Sequence, residues 1–330
     1  MQYTELADSG VKVSSIAFGA WAIGGWMWGG ADRQDALNAI HKSLELGITS
    51  IDTAPIYGFG LSEELVGEAL AGKRQQAQIL TKYGMRWEGT KGKLAFQSKR
   101  ADGSPVDIYK YAGKESVIQE CEDSLRRLRT DYIDLYQIHW PDVTTPVEET
   151  MEAIDQLLKQ GKVRASGVCN FSADQMKAAE KVVKQATDQV PYSMVERKIE
   201  RDVVPYCLET GKGILAYSPL QRGLLTGKIT DDYLFEPDDH RPNTPPFKPE
   251  NRRRINAFLD TLRPMAEQYG VTLAQLVINW TVQQPAVAVA LVGARDPGQV
   301  EENAKSLDFK LTPDEIKQIN ERLDGVKMGT

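Results

Sequence analysis

The chain has 330 residues, 41% hydrophobic and 26% charged, an ordinary globular balance that excludes collagen-like, disordered and disulfide-scaffold classes. Forty basic against forty-six acidic residues give a formal net charge of −6, with no basic stripe to suit nucleic acid. Three cysteines without CxxC spacing, no signal-peptide pattern in MQYTELADSG and no apolar run near the roughly eighteen residues of a membrane span all point to a cytoplasmic protein.

Along the chain, YTELADSGVKVS turns at Ser9-Gly10 and reads as a small hairpin. Apolar or β-branched runs then recur as VSSIAFG from Val13, ITSIDTA from Ile48, QILTKYG from Gln78 and YIDLYQIHW from Tyr132. They continue as VRASGVCN from Val163, DQVPYS from Asp188, GILAYSPL from Gly213 and VAVALVGA from Val287. Helical signatures fill the gaps. Ser62 is expected to cap EELVGEAL, Thr145 with Pro146 at the first helical position to open VEETMEAIDQLLKQ, and Ser172 to cap ADQMKAAEKVVKQ. Thr312-Pro-Asp-Glu315 fits a capping box. Eight strand–helix units predict an α/β protein of the (β/α)8 TIM-barrel class, with an N-terminal β-hairpin plugging its bottom. Two long polar stretches, Arg86 to Gly113 and Gln221 to Glu250, follow strands, so they are expected as functional or disordered loops on the C-terminal face. No linker-like break appears, and residues 1–330 are read as one domain.

Polar residues gather at the strand ends. Asp52 ends the second strand, Lys82 the third and His139 the fourth, and Tyr57 follows the second by a few residues. Each alone reads equally well as structure: a carboxylate on backbone N–H groups, a rim lysine, a core histidine, a loop aromatic. Together, at one mouth, they suggest carbonyl chemistry. A free tyrosine is a poor proton donor, with a pKa of about 10, and a neighbouring ammonium should lower that value. Asp52 would keep Lys82 charged, Tyr57 would act as general acid, and His139 would hold the carbonyl oxygen as charge develops.

GITSIDTAPIYGFGLSEELVGEAL, ILTKYG, DYIDLYQIHWPD and GKVRASGVCNFS resemble the aldo-keto reductase superfamily, and LAYSPLQRGLLTGK and LVGARDPGQVEEN extend the likeness into the last third. IDTAPIYGFG and QIHWPD are most similar to its bacterial general-stress and carbohydrate-reductase branch. The resemblance places the superfamily's catalytic tetrad on Asp52, Tyr57, Lys82 and His139.

No complete GxGxxG follows a strand, so a Rossmann site is not expected. A barrel instead binds phosphates in its last loops, at a helix N-terminus, and here that region reads Gly293-Ala294-Arg295-Asp-Pro-Gly-Gln299. By resemblance Arg295 and Gln299 take an adenosine 2′-phosphate, with Asn303 and Glu302 near the adenine, which implies NADP(H) over NAD(H). Alternatively, Arg295 is a loop arginine paired with Asp296. The resemblance further assigns Asn170 and Gln189 to the carboxamide and Tyr217 to stacking on the nicotinamide. Ser218, Pro219, Leu220, Gly223, Leu225 and Lys228 would follow the pyrophosphate, and Gly19, Ala20 and Trp21 would touch cofactor or roof the pocket. Cys169 departs from the serine common in the family, and a thiol is a weaker hydrogen-bond partner.

Trp21, Trp26, Trp28, Trp87 and Trp140 fall near the expected mouth, where Trp21, Trp87 and Trp140 with Tyr57 and His139 would line a substrate pocket; Trp280 reads as core. The implied activity is NADPH-dependent reduction of aldehydes, extending to sugars or ketones, by a monomer acting on small carbonyl compounds. The alternative is a regulatory module that senses NADP(H), as in the similar channel β-subunits. A metal-dependent hydrolase is disfavoured, because His41, His139 and His240 include no His-x-His pair.

Overall fold

The computed structural model describes residues 1–26, 31–235, 239 and 241–326; Trp28 and His240 lie outside the described residues. Strands β1 (Tyr3–Glu5) and β2 (Lys12–Ser14) form the expected antiparallel hairpin. Strands β3 (Ile16–Gly19), β4 (Ser50–Asp52) and β5 (Gln78–Tyr83) begin a parallel array. Next, β6 (Met85–Arg86), β7 (Lys93–Lys99) and β8 (Pro105–Lys110) make a separate antiparallel sheet. The array resumes with β9 (Ile133–Ile138), β10 (Val163–Cys169), β11 (Thr187–Pro191), β12 (Gly213–Tyr217) and β13 (Val287–Gly293). These eight parallel strands close into a barrel as β13 pairs with β3 and β5 with β9.

Helices wrap the barrel in sequence: α1 (Arg33–Glu45), α2 (Leu61–Ala69), α3 (Lys114–Leu128), α4 (Val147–Lys159) and α5 (Ala173–Ala179). They continue as α6 (Val203–Thr210), α7 (Pro249–Tyr269), α8 (Leu273–Val282), α9 (Pro297–Ala304) and α10 (Pro313–Asp324). The strands read as unbroken apolar runs because both of their faces are buried. Phe18, Ile51, Ile79, Tyr136, Val168 and Ile214 face the helices, while Ala17, Leu80, Leu135, Ala165 and Leu215 fill the interior. Leu6, Val11 and Val13 of the hairpin join that interior cluster and close its lower end. Trp280 is fully buried on α8, as its helical spacing predicts.

Local chemistry set several helix starts. Thr312 forms the expected capping box with Glu315, and Ser172 caps α5 as expected, in a box completed by Gln175. Other expectations are corrected. Pro146 is itself the N-cap of α4, one residue beyond Thr145. Helix α5 ends at Ala179, well short of Gln185. Ser62 does not cap α2; Gly60 does, with φ 107°, in a backbone region open to glycine. Ser62 instead lies buried in the first turn, where its hydroxyl donates to the Ala20 carbonyl at 2.8 Å and meets Thr53 Oγ1 at 2.8 Å.

The stretch from Arg86 to Gly113 is not a structureless loop: it holds most of the β6–β7–β8 sheet. Its hairpin turns at Asp102, whose carboxylate accepts from the Ser104 N–H at 2.9 Å. Tyr111 N–H donates to Gly84 O at 3.1 Å, so this insertion leaves the barrel and returns to it at the same point. The described part of the segment from Gln221 to Glu250 is loop with short 3-10 turns at Gln221–Thr226, Arg241–Asn243 and Pro245–Phe247, until α7 begins at Pro249.

Candidate active site

Each tetrad residue is placed by the C-terminal end of a barrel strand. Asp52 ends β4 and Lys82 lies near the end of β5, both buried; His139 follows β9, and Tyr57 sits in the β4–α2 loop. Tight backbone contact fixes that loop. Gly58, at φ 67°, approaches the β3–α1 loop so closely that a Cβ there would lie 2.0 Å from Gly24 O.

Lys82 Nζ is the hub of the site. It donates to Asp52 Oδ1 at 2.9 Å and Oδ2 at 2.8 Å, to Thr53 O at 2.9 Å and to the Tyr57 hydroxyl at 3.3 Å. Burial works against the Lys82 ammonium, yet the charge of Asp52 and its hydrogen bond carry it above its ordinary 10.5, so it stays cationic. Tyr57 behaves differently from the sequence expectation. Burial pushes its hydroxyl up to about 12, and the ammonium offsets only part of that rise. Tyr57 is therefore a firmly protonated phenol whose conjugate base would form beside a fixed positive charge. His139 meets the Tyr57 ring edge-on, with centroids 5.8 Å apart. Burial, then Lys82 and Lys110, hold its imidazole well below 6.5, so the ring is neutral and keeps one N–H donor.

A second hydrogen-bond line links the tetrad to the ends of β10, β11 and β12. Gln189 Nε2 donates to Asp52 Oδ1 at 2.8 Å, an anchor that the sequence reading did not foresee. Asn170, at φ 61°, donates from Nδ2 to His139 O at 3.1 Å and accepts the Tyr217 hydroxyl at 2.9 Å on Oδ1. Ser218 is also left-handed at φ 56°, followed by Gln221, Arg222 and Gly223 at 47°, 55° and 92°. Cys169 is buried and its thiol is pushed well above 9.0 by desolvation, so it stays neutral. In the same loop Leu225 packs wholly in the core, Pro219 is buried, Leu220 is half-buried and Lys228 is exposed.

Around the last strand, Gly293 pairs with Gly19 across β13 and β3, and Ala20 N–H donates to Asp52 O at 2.8 Å. Gly293 is exposed and Ala294 buried beside it. Arg295 N–H donates to Gln299 Oε1 at 3.0 Å, and Asp296 caps α9 by accepting from Gln299 N–H at 2.9 Å. Asn303 Nδ2 reaches Gly293 O at 3.2 Å, whereas Glu302 is engaged by Gln275 and Lys305. Two amides, an aromatic face at Tyr217, an exposed glycine and the cations of Arg222, Lys228 and Arg295 form a set suited to a flat, amide-bearing, polyanionic ligand such as a nicotinamide dinucleotide.

Aromatic rings build the opposite wall. Trp21 stacks on Tyr57 with centroids 5.7 Å apart, and Trp26 stacks on Phe96 of β7 at 6.0 Å while its indole N–H donates to Ser98 Oγ at 3.0 Å. Trp87 meets Phe59 edge-on at 5.6 Å, and Lys110 Nζ sits over Trp140, 4.3 Å from the ring centroid. Phe59, Phe96, Ser98 and Lys110 were missed from sequence. A signal was present for Lys110 alone: Val106-Asp107-Ile108 after the Asp102-Gly-Ser turn alternates apolar and polar residues, the period of a strand.

A sequence model described as the Aldo/keto reductase family matches residues 15–324. The chain is 41% identical to the aldo-keto reductase YhdN of Bacillus subtilis over 98% of its own length and 94% of that protein. It is 35% identical to the NADH-specific methylglyoxal reductase of Escherichia coli, over 99% of this chain and 100% of that one. The solved structure of the glycerol dehydrogenase AKR11B4 from Gluconobacter oxydans superposes with a TM-score of 0.89 at 40% identity, covering 99% of this chain and 97% of its own. With the closed barrel bearing its polar cluster at the strand ends, these matches establish that the chain belongs to the aldo/keto reductase family.

Proposed function

We propose that the chain is an NADPH-dependent reductase of aldehydes, sugar aldehydes and ketones included, with Tyr57 as general acid. The observation that carries this reading is the charged Lys82 held between Asp52 and the Tyr57 hydroxyl, with the neutral His139 beside them. A reduced nicotinamide, held by the residues at the ends of β10–β12, would supply the hydride that the carbonyl carbon takes up. Tyr57 gives its phenolic proton to the carbonyl oxygen, and the Lys82 ammonium stabilises the phenolate left behind. His139 donates a hydrogen bond to the same oxygen, which orients the substrate before transfer. Gln189 and Asp52 keep the ammonium in position. Asn170 and Gln189 would hold the carboxamide, and Tyr217 would stack on the ring. The pyrophosphate would run past Ser218–Gly223 and Lys228, and Arg295, Gln299 and Asn303 would take the adenosine end. The chain acts as one domain, a monomer in the cytoplasm, on small carbonyl compounds.

Fluorescence titration with NADPH and NADH, then loss of reduced-cofactor absorbance over aldehydes, sugars and ketones, tests this reading. Tight NADPH binding with turnover is expected; binding without turnover would favour the regulatory-module reading. Cofactor choice has its own test, because the relative from Escherichia coli is NADH-specific. Replacing Arg295 by alanine should weaken NADPH about ten- to a hundredfold, the range of a charge-assisted contact, and NADH much less. Equal weakening of both would place the 2′-phosphate elsewhere.

A further inference from the structure

The inserted sheet is a basic cap on an acidic protein. Residues 86–110 hold six basic and three acidic residues, although the whole chain carries −6. One of its half-buried cations is Lys110, at the end of β8 and over the face of Trp140, the residue directly after His139. Among the described residues no hydrogen bond or ion pair engages the Lys110 ammonium. Its cross-strand partner in register is another cation, Lys93. Burial and then Lys93 pull the Lys110 ammonium below 10.5, as expected where no anion sits beside it. Deeper cations at the mouth have acidic partners, Lys82 with Asp52 and Arg86 with Glu88 and Glu120, whereas Lys93 and Arg100 of the sheet, like Lys110, form no ion pair among the described residues. Among the described residues Lys110 is thus a cation without an anionic partner whose charge reaches the neutral His139.

An ammonium ordered over an indole face has lost water and side-chain freedom before substrate arrives. An anion on the substrate would meet it already in place, at lower cost than an exposed lysine would allow. The surplus positive charge on the surrounding sheet would steer that anion toward the mouth. We propose that Lys110 selects carbonyl substrates bearing an anionic group, a carboxylate or a phosphate, a few bonds from the carbonyl. This assignment rests on the reductase reading above and adds a substrate class to it.

Steady-state rates on 4-oxobutanoate and its neutral methyl ester test the assignment, with glyceraldehyde 3-phosphate and glyceraldehyde as a second pair to separate phosphate from carboxylate. Wild type should prefer the anion of at least one pair in kcat/KM. Lys110→Met should lower that preference about tenfold or more, chiefly through KM, and Lys110→Arg should retain most of it. Added salt should erode the preference in wild type and much less in Lys110→Met. No anion preference in wild type, or an equal preference in Lys110→Met, would overturn the proposal. Failure to turn over any aldehyde would refute the reductase reading instead. Succinate binding, followed by tryptophan fluorescence, then decides the role of Lys110 without turnover: it should occur in wild type and be lost in Lys110→Met, and its absence from wild type overturns the assignment.

Discussion

At the scale of single residues, the proposed mechanism separates a proton donor, Tyr57, from the charge that would make donation possible, Lys82. Tyr57 is held at about 12 by burial, and Lys82, 3.3 Å away, is kept cationic by Asp52. Removing the hydroxyl with Tyr57→Phe should cut carbonyl reduction by roughly 10² or more while NADPH affinity stays near wild type; near-full turnover would sink the mechanism. The same states fix the pH profile. His139 titrates well below 6.5 and Tyr57 near 12, so kcat for reduction should be flat between about pH 7 and 9. An inflection near 6.5 would mean that a charged imidazole takes part. The four tetrad residues were legible in the sequence because each stands by the end of a recognisable strand. The Gln189–Asp52 bond was not, because its partners are 137 residues apart and nothing local to either announces the contact.

Whole elements show where local chemistry decides and where packing overrides it. Ser172 and Thr312 cap their helices because hydroxyl and N3 side chain satisfy each other within one turn. Ser62 has the same chemistry in sequence but spends its hydroxyl on Ala20 and Thr53, tying together the loops that flank Tyr57. The inserted sheet escaped notice because its outer strand β7 is largely solvent-exposed and so lacks a strong apolar pattern. Its junction with α3 carries a titratable group. Glu120 is buried, accepts from Gly84 N–H at 2.9 Å and lies 3.6 Å from Arg86, and burial raises its carboxyl from 4.5 to about 7. A group raised on folding stabilises fully below its unfolded value and loses that contribution as pH climbs through the folded one. The stability of the protein should therefore decline between about pH 5 and 8, by an amount on the order of 3 kcal/mol for this group alone. Glu120→Gln should flatten that decline in a series of thermal melts. A slope unchanged by the substitution would assign it to other groups.

For the molecule as a whole, stability and chemistry sit at opposite ends of the barrel. The hairpin buries Leu6 against the interior layer, near Gly213, while the tetrad occupies the strand ends. Leu6→Ala should cost about 2–5 kcal/mol in denaturant unfolding and leave kcat at ambient temperature unaltered; a parallel loss of kcat would show that the two ends are coupled. The eightfold architecture was plain from the alternation of strand and helix, since barrel strands buried on both faces cannot hide their apolar runs. The insertion enters and leaves at Gly84 and Tyr111, joined by one backbone hydrogen bond, so grafting or removing it asks little extra loop-closure entropy of the barrel. The face that would meet substrate is in that sense an exchangeable cassette of one contiguous stretch, set on a barrel mouth whose β3–α1 and β4–α2 loops meet closely at Gly24 and Gly58. Transplanting residues 85–110 between family members offers a route to new substrate ranges without rebuilding the reaction centre.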